Sequence, residues 1–168
     1  ERAARFKAET GFVGDISYNL QGMQFSTISG SFKEIEVTAP QDTVFMRSVF
    51  DHVVSKVMPY ISAREGQLSC SKVRSNINGS GVIYWQNVNG YSIEGGGGSL
   101  RIHYSLATYQ LSVNNGTVDI SSDPVSINLT LEQAISLVQE KVFDGAEVKP
   151  TNPRIAYVPI DNENGQAY

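Results

Sequence analysis

The chain has 168 residues, 40% hydrophobic and 18% charged, with a net charge of -4 and a pI near 5.1. A chain of this size buries roughly 70% of its unfolded surface in a core without staples, and its acidic balance offers no basic field to gather phosphates, which argues against nucleic acid as a partner. No apolar run approaches the ~20 residues of a membrane span, and the single cysteine, Cys70, excludes an internal disulfide and a cysteine-built metal cluster.

The opening ERAARFKAET lacks the apolar core of a signal peptide, so an exported protein would carry its signal or anchor outside this sequence. FVGDISYNL (12–20) and QFSTISGSFKEIEVTA (24–39) mix alternation with Gly and Ser breaks, and the second presents Phe32, Ile35 and Val37. They are expected to form an antiparallel pair. In QDTVFMRSVFDHVVSKVMPYI, Phe45, Val49, Val53, Val57 and Tyr60 recur at helical spacing, with Val44 and Phe50 widening the stripe. The spacing predicts a helix over 42–61. Asp42 or Thr43 can cap it by accepting a free backbone N–H, and Pro59, with no N–H to donate, ends or kinks it. His52, beside Val49 and Val53, reads as a partly buried structural histidine.

From Gln67 the pattern is β. QLSCSKV holds Cys70 as a small half-buried strand residue, followed by a turn at Asn78-Gly79-Ser80-Gly81. VIYWQNVNGYSIEG offers Ile83, Trp85 and Val88 as apolar anchors and Asn89-Gly90 as a tight hairpin turn, since both central residues tolerate positive φ. In SLRIHYSLATYQLSV, Leu100, Ile102 and Tyr104 alternate with Arg101 and His103, and Tyr109, Leu111 and Val113 continue the period; Asn115-Gly116 is expected to turn the chain into TVDIS as a second hairpin. EGGGGSL (94–100) has the composition of a flexible link. It lacks the Lys-Ser/Thr of a phosphate loop, and residues 95–99 read equally as a natural loop or an engineered linker.

NLTLEQAISLVQEKV predicts an amphipathic helix. Thr130 and Gln133 form a capping box, Leu131, Ala134, Ile135, Val138 and Val142 make the apolar stripe, and Asp144-Gly145 supplies the stop. Glu132, Gln139, Glu140 and Lys141 are expected to face water. RIAYVPI then alternates as a strand, DNENG is a solvated turn, and QAY opens a further strand.

No His-Glu-x-x-His, Gly-x-Ser-x-Gly or Walker motif occurs, and DNENG lacks the spacing of a calcium loop. The two histidines fall on different elements. The sequons at Asn78, Asn115 and Asn128 fit chance in a chain rich in Asn, Ser and Thr. No catalytic, cofactor-binding or metal-binding residues are expected, and no cofactor. The expected fold class is α+β, with antiparallel sheets each packed by an amphipathic helix. The chain divides into an N-terminal strand-helix module (1–66) and a strand-hairpin-helix-hairpin module (67–168), which read as two similar plans.

VIYWQNVNGYSIEG, TYQLSVNNGTVDISSD, INLTLEQAISLVQEKV and PRIAYVPIDNENGQAY follow one another as strand with Asn-Gly turn, hairpin, capped helix and hairpin. In that order, residues 82–168 resemble PepSY and FTP-type propeptide modules. The resemblance implies an extracytoplasmic bacterial protein of the cell surface or secreted space, membrane-anchored in full length, as in regulators of the YycH and YycI type or prosegments of secreted metallopeptidases. It implies no catalytic residues. The expected function is a non-catalytic regulatory domain acting through protein–protein contacts with a membrane sensor or peptidase, and the alternative is an inhibitory or chaperone prosegment. Aromatic side chains supply contact area at low entropic cost, which makes Tyr84, Trp85, Tyr91, Tyr104 and Tyr109 the candidate partner contacts.

Overall fold

The computed structural model describes residues 1–19, 24–93, 97–119, 130–141 and 156–157. It opens with a helix that the strand-dominated reading did not include, α1 (Arg2–Thr10). Its Ala, Arg, Lys and Glu residues are strong helix formers, and Arg5 and Glu9 pair across one turn at 2.7 Å. Gly11 stops the helix in the left-handed conformation (φ 69°), its N–H donating to the Lys7 carbonyl. The helix buries Phe6 and Thr10.

β1 (Phe12–Tyr18) and β2 (Phe25–Phe32) pair antiparallel as expected, from Phe12 opposite Phe32 to Ser17 opposite Thr27. Ile35 and Val37 do not extend β2. The chain turns after Phe32, whose carbonyl accepts from the Ile35 N–H at 3.0 Å, and both residues pack against the core from outside the strand.

α2 (Thr43–Val57) starts at Asp42, whose Oδ1 accepts from the N–H groups of Val44 (2.8 Å) and Phe45 (3.1 Å). It ends before Pro59, where Met58–Tyr60 forms one 3-10 turn. Its buried face is Met46, Val49, Phe50, Val53 and Val57. Val44 is 78% exposed rather than part of the stripe: two residues before Met46, it lies about 200° round the helix. His52 is exposed, not partly buried, for the same reason of phase.

The remaining strands are β3 (Leu68–Cys70), β4 (Arg74–Asn76), β5 (Gly79–Val88), β6 (Tyr91–Ile93), β7 (Ser99–Ser105), β8 (Gln110–Gly116) and β9 (Ala156–Tyr157), with α3 (Leu131–Lys141) before the last. The molecule is a mixed α/β fold on one open sheet in the order β1-β2-β8-β7-β5-β6-β9, with β3 and β4 also pairing with β5. Its pairings are antiparallel except that of β6 with the two-residue β9. The boundary expected at 66/67 falls inside this sheet, because β2 is hydrogen-bonded to β8, Ile28 opposite Val113. One cluster joins Phe6, Phe12 and Phe32 to Phe50, Val82, Leu100, Ile102 and Val113, each large side chain contributing roughly 1.5–3 kcal/mol by burial.

At two of its three expected anchors, Ile83 and Trp85, β5 runs with its faces opposite to expectation, while Val88 is buried as expected. Val82, Tyr84, Gln86 and Val88 point into the core while Ile83 and Trp85 point out. Both faces carry apolar residues, so period-two alternation has no unique phase; the pairing of Val82 with Ile102 and Tyr84 with Leu100 sets it. Its opening turn is Ile77-Asn78, with Gly79 already in the strand. The Asn89-Gly90 hairpin forms as expected, with φ of 51° and 83° and Val88 opposite Tyr91. Leu100, Ile102 and Tyr104 are buried and Arg101 and His103 exposed, also as expected. The hairpin that follows is closed by residues 106–109 and not by Asn115-Gly116, which lies within β8, Gly116 opposite Ser99. Asn115 instead uses its side-chain Nδ2 to reach the Phe25 carbonyl at 2.9 Å.

In the glycine run, Gly98 is built into the sheet: its N–H donates to the Gly116 carbonyl (2.6 Å) and its carbonyl accepts from Gln86 (2.8 Å). Its φ of 76° and the Ile93 side chain, 2.4 Å from where a Cβ would sit, require glycine there.

α3 carries the reciprocal cap: Thr130 N–H donates to Gln133 Oε1 at 2.8 Å, and Gln133 N–H to Thr130 Oγ1 at 3.2 Å. Ala134 and Ile135 are half-buried, and Glu132 and Glu140 are exposed. The side chains of Leu131, Val138, Gln139 and Lys141, the residues Val142 and Asp144-Gly145, the DNENG turn and the QAY strand lie outside the described residues. Of RIAYVPI, Ala156 and Tyr157 form β9.

Candidate functional site

The sealed side of the sheet is held by polar as well as apolar contacts. On α2, Arg47 pairs with Asp51 one turn later (Nε–Oδ2 2.8 Å), and the Tyr84 hydroxyl donates to Asp51 Oδ1 at 2.6 Å. Burial, then the bond to Asp51, drives the Tyr84 phenol well above the usual tyrosine range. Cys70, opposite Tyr84 on β3, has its thiol pushed up by burial, which disfavours the thiolate a nucleophile needs. This cluster ties helix to sheet. Gln86, fully buried, makes a second tie: its Oε1 accepts from the Val118 N–H (3.0 Å) and its Nε2 donates to the Val118 carbonyl (2.9 Å), fastening the chain after β8. Sequence reasoning missed this residue, because a glutamine in an alternating strand carries no sign of which face it takes.

One row of the outer face is small and polar. In register across the strands stand Asp15, Ser29, Ser112, His103 and Gly81. His103 and Asp15 are three strand spacings apart, about 14 Å at ~4.8 Å per strand, so Asp15 cannot orient the imidazole for a Ser-His-Asp relay. His52 lies on α2, on the other side of the sheet. Among the described residues, no group of three His, Cys, Asp or Glu side chains is placed to hold a metal, and no helix is long and apolar enough to cross a membrane.

The five aromatic candidates separate. Tyr84 (4% exposed) and Tyr104 (5%) are core residues and offer no outer contact; they occupy the inward phase of β5 and β7. Trp85 (38%), Tyr91 (38%) and Tyr109 (72%) are open, but not together. Trp85 is on the outer face, Tyr91 follows the hairpin at the Val88 end of β5, and Tyr109 closes the β7–β8 turn at the other end.

That second end gathers further exposed apolar side chains. Ile77, 86% exposed, sits in the β4–β5 turn. The two turns touch, since Leu106 N–H donates to the Asn78 carbonyl at 3.0 Å. The chain enters α2 at this end too: the Ser80 hydroxyl donates to the Pro40 carbonyl, and Val44 follows. Ile77 falls between the strand segment and the turn expected at 78–81 and carries no assignment in the sequence, and Val44 lies in a stretch read as core stripe, so neither stands out as surface. Tyr109 has an additional property. Its φ is 56°, the left-handed conformation that a four-residue hairpin loop demands at its last position and that glycine or asparagine adopts most cheaply.

No protein-family model matches the chain, and neither a curated protein nor a solved structure is significantly similar to it.

Proposed function

We propose that the chain is a non-catalytic binding module that contacts another protein through the end of the sheet formed by the Ile77-Asn78 and 106–109 turns. The observation that carries the reading is Tyr109: a large aromatic side chain, 72% exposed, held at positive φ where glycine would be easier. Backbone strain and exposed apolar area both cost stability, and they concentrate where a surface is used. Ile77 and Val44 enlarge the same end, and the strongly shifted tyrosines, Tyr60 and Tyr84, are each engaged by a helix carboxylate in a structural role.

The extracytoplasmic, cell-surface setting and the PepSY-like character of 82–168 belong to the same proposal. They rest on the order of motifs, with the Asn89-Gly90 hairpin and the Thr130–Gln133 cap as its local anchors, and a membrane sensor or peptidase is the partner they imply. The arrangement of strands and helices as two related modules is part of that reading.

The test is capture from a membrane extract of the source organism with the chain and with an Ile77→Ser, Tyr109→Ser double variant. A partner retained by the chain and lost by the variant, with Trp85→Ser retaining it, is the expected result. Equal retention by the chain and the double variant sinks the proposal.

A further inference from the structure

At the opposite end of the sheet a cavity of about 360 Å³ lies between α1, the β1–β2 end and the 3-10 turn. Its volume falls in the usual range for small-ligand pockets, about 300–1,000 Å³. Its floor is aromatic: Phe6 and Tyr60 meet edge to face at 4.8 Å, and Phe25 lies 5.8 Å from Phe6. Its rim is cationic, with Arg2 and Arg5 one turn apart on α1. Gln24 and Ser62 complete a polar edge, the Gln24 amide donating to the Ser62 hydroxyl.

The site is organised before any ligand arrives. Glu9 accepts from Arg5 Nε with one oxygen (2.7 Å) and from the Tyr60 hydroxyl with the other. One carboxylate therefore fixes a guanidinium on the rim relative to a ring in the wall. Arg5 spends Nε on Glu9, and its terminal nitrogens carry further donors in a planar fork suited to a carboxylate. With Glu9 already set against Arg5 Nε, the capacity to hold an anion lies in the terminal nitrogens of Arg5 and in the Arg2 guanidinium, over a floor that accepts an apolar body.

We propose that this cavity binds a small organic carboxylate with an aromatic body, the ring seated on Phe6, Phe25 and Tyr60 and the carboxylate held by Arg2 and Arg5. The site is independent of the partner-binding end.

The test is a titration of the chain with 3-phenylpropanoate, followed by amide NMR, with 3-phenylpropanol as the neutral control. Saturable binding at about 1 mM or tighter, within the efficiency open to a ligand of this size, is expected to shift the amides of Phe6, Phe25, Ile61 and Ser62. The alcohol should bind at least roughly tenfold more weakly, as should the acid to an Arg2→Gln, Arg5→Gln variant, because each loses charge-assisted bonds. Both arginines are at the surface end of α1, and the alcohol control on the unaltered chain needs no variant to fold. Absence of saturation up to ~10 mM, equal binding of acid and alcohol, or shifts confined to other parts of the sheet would each overturn the proposal.

Discussion

The Tyr84 hydroxyl donates to Asp51 Oδ1 at 2.6 Å, joining the middle of β5 to the middle of α2. The two residues stand in unequal surroundings, Tyr84 buried and Asp51 exposed and shared with Arg47. Deleting either end of the bond therefore has different consequences. Asp51→Ala strands a buried hydroxyl, at a cost of about 1–3 kcal/mol, whereas Tyr84→Phe leaves a carboxylate that water can reach and costs about 0.5–1.5 kcal/mol. Urea unfolding of the two variants gives the comparison, and Asp51→Ala is expected to be the less stable.

Alkaline pH should act through the tyrosines. Burial, then Glu9, pushes Tyr60 from 10.0 up to about 12, and burial, then Asp51, raises Tyr84 further. A raised folded value means the unfolded chain releases these protons first. The stability they confer is thus fully present below pH 10 and is lost as pH rises through the folded values. Denaturant midpoints should be level in tyrosine's contribution up to about pH 10 and fall above it, and Tyr84→Phe should make that fall shallower. A midpoint unchanged between pH 10 and 12 would contradict this assignment.

Gly98→Ala is expected to destabilise the chain by about 1–3 kcal/mol, since the added methyl meets Ile93 and the residue must stay at positive φ. Gly66→Ala, also at positive φ but with open space where its Cβ would sit, serves as the comparison in a thermal melt and should cost less.

How far the fold was legible depends on the range of the interaction that decides each element. The Thr130–Gln133 cap, the Asp42 cap, the break at Pro59 and the Asn89-Gly90 hairpin are settled within four residues, and each forms as read. α1 carries a comparable local signal, helix formers closed by Gly11. The phase of β5 was not legible, because Ile83 and Trp85 are as apolar as Val82 and Tyr84, and only pairing with β7 chooses between them. That single inversion places Tyr84, one of the candidate contacts, in the core and leaves its neighbour Trp85 on the surface. The union of β2 with β8 joins residues far apart in the chain, and no local pattern reports it. The exposed end was half legible: Tyr109 was named from its type, while Ile77 needed the turn to be placed one step earlier.

Tyr109→Gly should stabilise the chain by up to about 1 kcal/mol, because glycine relieves the left-handed backbone and little packing is lost at a side chain 72% exposed. The same change should abolish partner capture, a gain in stability with a loss of function. Thermal melts read the first and retention from extract the second.

The most direct measurement is site-specific photo-crosslinking in a membrane extract of the source organism, with the photoreactive residue at Ile77, at Tyr109, or at Glu65, an exposed position on the loop at the far end of β5. The account predicts one and the same protein crosslinked from positions 77 and 109 and none from 65. Crosslinking from 65 with none from 77 and 109 would contradict it.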